Sequence, residues 1–146
     1  MADIPEEHLT EELLNRLLSS TSIEQDLDEG LVNARTLTDY LFDRMEAHDL
    51  RRADVVRASG LNATVVYDIF SGKSRPGRDH AIMLAFGLKC TLRETQRLLR
   101  LAGVSELWCK QRRDAIIIWC IRNGFDRIAT DDELYRMGEA TLLPAD

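Results

Sequence analysis

Apolar residues recur at helical spacing along nearly the whole chain, and no stretch alternates long enough to read as a strand. Leu9, Leu13, Leu14, Leu17 and Leu18 form one stripe, predicting a short helix that opens near Pro5 or Thr10. The SSTS run at 19–22 stops it, and the IEQDLDEG run at 23–30 reads as an acidic linker. Leu37, Leu41 and Met45 make the next stripe, with Tyr40 beside it. Two short helices are expected at 52–59 and 63–71, separated by Gly60, Leu61 and Asn62. The SGKSRPG run at 71–77 is a breaker-rich loop. Further helices are expected at 78–88, 92–102 and 105–122, the last ended by Asn123 and Gly124. A final helix starts at Arg127 or Asp131 and runs to Met137.

The punctuation supports these spans. Gly60 stands where a short helix must end and reverse, a left-handed position that is cheap for glycine. Asn62 suits the N-cap of the next helix. Thr91 and Glu94 have capping-box spacing, hydroxyl and carboxylate each satisfying a free backbone N–H. Val55, Val56, Leu61, Val66 and Ile69 supply the apolar contacts that lock the two short helices together at a steep angle. An internal echo accompanies them. Residues 78–103 align without gaps on 113–138, with identities at Arg78/Arg113, Asp79/Asp114, Ile82/Ile117, Thr95/Thr130, Leu99/Leu134 and Gly103/Gly138. A duplicated helical hairpin is expected, its two copies stacked face to face.

With 146 residues the chain suits one domain with appendages, and 45% hydrophobic with 30% charged residues is a globular composition. The most apolar run, AIIIWCI at 115–121, is a core segment by length, far short of a membrane span. The opening MADIPEEH has no basic-then-apolar pattern, so no signal peptide is expected. Cys90, Cys109 and Cys120 are odd in number and lack a CxxC pair, which predicts buried free thiols of a reducing cytoplasm. His8, His48 and His80 share no ligand spacing with them, so no metal and no cofactor is expected. Acidic clusters such as Asp131, Asp132 and Glu133 lack a nucleophile and fit a helix first turn. No enzyme signature is present.

Charge is unevenly spread. The net charge of −6 divides into −8 over 1–33, +4 over 34–103 and −2 over 104–146, and residues 51–100 alone carry ten basic against four acidic side chains. A polyanion partner is expected for that middle segment. Trp108, Trp119, Ile116, Ile117 and Ile118 read as the core beneath the terminal hairpin. Their number also allows a homodimer seam through the C-terminal helices.

The pattern Gly60-Leu61-Asn62, Val66, Ile69, Gly72-Lys73 resembles the lambda-repressor-like, or XRE-family, helix-turn-helix. The likeness spans about 37–103 and five helices. It implies an all-α helix-turn-helix domain (34–103), which the apolar and acidic patterns flank with an acidic N-terminal helix and linker (1–33) and a C-terminal helical hairpin (104–146). It further implies a transcriptional regulator that binds double-stranded DNA, with its second short helix in the major groove. Carried over by position, Asn62, Ala63, Thr64, Tyr67 and Asp68 face the bases, and Arg51, Arg52, Lys73, Arg75 and Arg78 hold phosphates. The chain departs from the family at Val56, Ser59 and Phe70, where Ala, Leu and Glu are usual. None of the five base-facing residues is Arg, Lys or Gln, so phosphates are expected to supply most affinity and base readout to be modest. The alternative is a protein-interaction module or antitoxin-like adaptor that keeps the scaffold with little DNA binding. The acidic N-terminal helix is then a candidate docking arm for a protein partner.

Overall fold

The computed structural model describes residues 14, 15, 18, 19 and 36–144. By internal contact the chain divides into Met1–Arg35 and Thr36–Asp146. In the first unit Leu14, Asn15, Leu18 and Ser19 are helical, with both leucines exposed. The remainder of the expected leucine-striped helix and its acidic linker lie outside the described residues.

The described part of the second unit is all-helical: α1 (Leu37–Ala47), α2 (Arg52–Ser59), α3 (Ala63–Phe70), α4 (Arg78–Gly87), α5 (Leu92–Leu101), α6 (Arg112–Arg122) and α7 (Arg127–Arg136). Side-chain caps explain most of the starts. Thr36 Oγ1 accepts the Asp39 N–H at 3.2 Å, Asn62 Oδ1 the Val65 N–H at 2.9 Å, and Asp126 Oδ1 the Ala129 N–H at 2.8 Å. The expected Thr91–Glu94 box closes in both directions, at 3.2 and 2.9 Å. One core joins all seven helices, centred on Leu41, Val55, Val66, Ile82, Leu98, Ile117 and Leu134, each without exposed surface. Among the described residues no helix is long and apolar enough to cross a membrane.

The sixth helix starts later than its apolar pattern suggested. Residues 105–111 are a strap rather than a first helical turn because other elements take their backbone groups. Arg78 takes the Ser105 and Glu106 carbonyls at 3.0 and 2.9 Å. Gln96 clamps Leu107 from both sides, accepting its N–H at 2.7 Å and donating to its carbonyl at 2.9 Å. The Trp108 N–H goes to Asp114 at 2.9 Å. The tryptophans are not core: Trp108 is 61% and Trp119 53% exposed, and of the expected isoleucines Ile117 alone is fully buried. Asp131 does not serve a first turn either. It is buried mid-helix, where it takes Arg127 at 2.6 Å and the Leu142 and Leu143 N–H groups at 2.6 and 3.2 Å.

The internal echo is structural. Arg78 grips Asp114 of the second hairpin through two bonds, at 3.0 and 2.6 Å. Its counterpart Arg113 grips Asp79 of the first, at 2.9 and 3.1 Å. Just as Arg78 takes two strap carbonyls, Arg113 takes those of Ala140 and Thr141, at 2.8 and 3.2 Å. Leu107, held by Gln96, and Leu142, held by Asp131, likewise occupy matching places. The packing is reciprocal too, α4 against α7 and α5 against α6. Such exchange is what a local two-fold relation between hairpins produces. The expected boundary at 103/104 therefore falls inside one compact unit.

Candidate functional site

α2 and α3 meet at a tight corner. Gly60 ends α2 with φ 81°, in the left-handed region, as its place in the sequence demanded. Ser59, buried, ties the turn by donating to the Val56 carbonyl at 3.2 Å and accepting the Leu61 N–H at 3.2 Å. Its small size has a second purpose: a Cβ built on Gly87 of α4 would stand 2.9 Å from Ser59 Cβ and 3.0 Å from the Val55 carbonyl oxygen. α4 thus lies against α2 with no room for a larger pair, which accounts for a serine at this position. Val55, Leu61, Val66 and Ile69 are buried as expected, with Val56 half-buried.

Burying that face turns the other face of α3 outward. Ala63, Thr64 and Tyr67 are exposed, with Asn62 at the helix entrance and Asp68 half-buried. Asn62 spends its carbonyl oxygen on the cap. The main-chain carbonyl of Asp68 organises the exit from α3 by accepting the Lys73 and Ser74 N–H groups at 2.9 and 3.2 Å.

The five expected basic residues separate into two groups. Arg51, Arg52 and Lys73 are exposed around the ends of α2 and α3, and Arg75 is exposed in the loop before α4, with its guanidinium beside Gly103. Arg78 is not available: its side chain is 25% exposed, and its donors go to Asp114 and to two strap carbonyls. Nearby, Arg57 pairs with Asp54 at 2.5 Å. The Arg51 N–H, followed by that guanidinium, outweighs partial desolvation and holds the Asp54 carboxyl below the usual range.

Two features escaped the sequence. The Arg52 guanidinium lies over the Tyr67 ring, 5.2 Å from its centroid, placing a cation on the face of α3. That pairing depends on the angle at which two helices cross, for which no single residue is a signal. Arg127, nine-tenths buried, packs on the corner from α7, so close that a Cβ on Gly60 would sit 2.5 Å from its Nε. A charged side chain in an otherwise exposed-looking segment gave no hint of this.

The thiols are unequal. Burial pushes the Cys90 thiol up to about 12, with Glu94 adding to the rise, and burial also raises Cys120. Cys109, expected to be buried, is exposed on the strap. No protein-family model, curated protein or solved structure matches this chain.

Proposed function

We propose that this protein binds double-stranded DNA through α2 and α3, as a regulator of the XRE-like type. The observation that carries the reading is the seating of Arg52 on Tyr67. An arginine stacked on an aromatic ring is partly pre-ordered, which lowers the entropy lost when it engages a base. From there, in place of the phosphate contact the resemblance implied for it, it supplies the two-pronged guanine contact that Asn62, Ala63, Thr64 and Asp68 cannot make, a contact worth about 1–3 kcal/mol of discrimination. Arg51 and Lys73, exposed at the helix ends, and Arg75, exposed in the loop after α3, fit phosphate contacts that add affinity without sequence preference. The net charge of +6 over 51–100 is consistent with this, although Arg78 and Arg57 are engaged by carboxylates.

The test is binding to a randomised duplex pool, repeated at two salt concentrations. Lys73→Ala is expected to weaken binding to all sequences and to lower the salt slope by about one. Arg52→Ala is expected to flatten the preference for a guanine at one position. Absence of salt-dependent binding at low ionic strength would sink the reading. The exposed apolar side chains of α6 and α7 favour a second reading, a protein-interaction module that keeps the corner as scaffold.

A further inference from the structure

Because 113–138 repeats 78–103, each position of the second hairpin has a counterpart with known neighbours. On the first hairpin Ala81, Leu84, Gly87, Leu98 and Ala102 are all buried. α2 covers α4, with Val55 and Ser59 directly on Gly87, and α1 packs on α5. The counterparts on the second hairpin are Ile116, Trp119, Arg122, Glu133 and Met137. No described segment covers them as α1 and α2 cover the first set. Trp119 is 53% and Met137 37% exposed, and Arg122 is exposed. Instead a groove of about 400 Å³ runs between Ile116, Trp119 and Met137, and a second of about 450 Å³ adjoins it at Trp119 and reaches Arg122.

The residue changes between the copies define what fits there. Ile116, Trp119 and Met137 keep the floor apolar, while Glu133 stands where the first hairpin has Leu98. The rim has become cationic: Arg112, Arg122 and Arg136 stand where the first hairpin has Gly77, Gly87 and Leu101. Arg122 in place of Gly87 prevents an approach as close as that of α2 on α4. Arg112 pairs with Glu139 at 3.4 Å and donates to the Met137 carbonyl at 2.7 Å, and Arg136 pairs with Glu133, but both arginines are more than half exposed. Solvent-screened pairs of this kind exchange partners at little cost. Trp119 is steadied by an edge-on contact with Phe125, centroids 5.2 Å apart.

We propose that the α6–α7 groove is a docking site for an acidic amphipathic helix of a partner protein. Its apolar stripe lies on Ile116, Trp119 and Met137, and its carboxylates meet Arg112, Arg122 and Arg136. The occupant is a helix because helices fill the equivalent face of the first hairpin. It is acidic because the rim is basic. The site is separate from α2 and α3 and does not depend on DNA binding.

The experiment uses the full chain carrying Trp108→Phe, so that Trp119 alone reports by fluorescence. The probe is a Trp-free 15-residue synthetic helix with leucines at i, i+4 and i+7 flanked by glutamates, compared with the same helix flanked by lysines. The expected result is a blue shift of Trp119 emission with the glutamate peptide only, weakening as salt rises. Calorimetric affinity should fall at least about tenfold in Trp119→Ala and in the double variant Arg112→Glu, Arg122→Glu. Tyr135→Ala, exposed and outside the groove, should leave it unchanged, and circular dichroism of each variant shows whether it has folded. Three results would overturn the proposal: no binding of either peptide, equal binding of both, or a dimer of the chain alone that Trp119→Ala dissociates. The last would give the groove to a second copy.

Discussion

Arg78 donates two hydrogen bonds to the carboxylate of Asp114, which has 2% of its side chain exposed, while one position further along the same helix Asp79 receives Arg113. The two pairs are chemically alike but differ in burial, since Asp79 is 42% exposed. Removing one partner of a buried pair leaves the other charged and desolvated. Arg78→Ala is therefore expected to cost about 3–5 kcal/mol. Asp79→Asn should cost about 1 kcal/mol, since the Arg113 it leaves behind, 17% exposed, still donates to the Ala140 and Thr141 carbonyls. Urea unfolding of the two variants provides the comparison, and equal losses would refute the ranking.

Gly60→Ala carries two penalties, a residue with a side chain at φ 81° and a Cβ 2.5 Å from Arg127 Nε. Together they should destabilise by about 2–4 kcal/mol. Arg127→Ala removes the collision but not the backbone strain. The double variant should then lose less than the sum of the single losses, by about 1 kcal/mol or more. Strict additivity in a denaturation cycle would show that the steric conflict has no weight.

Glu94 makes stability depend on acid. Burial pushes its carboxyl up, but the Thr91 N–H and the Arg44 guanidinium together outweigh that and leave it below its ordinary value of 4.5. A carboxyl depressed by folding stabilises the native state fully above that ordinary value. The contribution is lost as pH falls through the lower, folded value. Glu94→Gln is expected to lower stability at neutral pH by about 1 kcal/mol and to flatten its decline below about pH 4.5. Thermal midpoints measured across the acid range check both.

Cys109 should be the one thiol of three to react with a disulfide reagent in the folded protein. It is exposed, whereas Cys90 is half-buried and Cys120 buried, and desolvation raises both of those thiols. Unfolding should release the other two, and Cys109→Ser should abolish the native reaction. Fast reaction of two thiols without denaturant would contradict the raised thiol of half-buried Cys90.

Much of the fold was legible because its signals are local. Gly60, Asn62 and the Thr91–Glu94 box mark helix ends through bonds within a few residues, and each behaves as its sequence context dictates. The strap was misread because Gln96 and Arg78, distant in the chain, take the backbone groups a helix would have used. The tryptophans misled for another reason. Periodicity shows that α6 has a face like that of α4, but whether anything covers it is decided elsewhere in the chain. At α2 and α3 the sequence located the outward positions, yet it placed Arg78 among the exposed cations. It could not see that Asp114, on a later helix, had claimed it.

The lodging of Arg127 on Gly60 also has a temporal side. A chain grows from its N-terminus, and α1 to α3 are made well before residue 127 exists. The turn that sets the angle between α2 and α3 is thus uncovered during synthesis and receives its lid only when α7 emerges. A chain stopped before that point would keep every residue of the outward face yet lack the side chain that closes the corner beneath it.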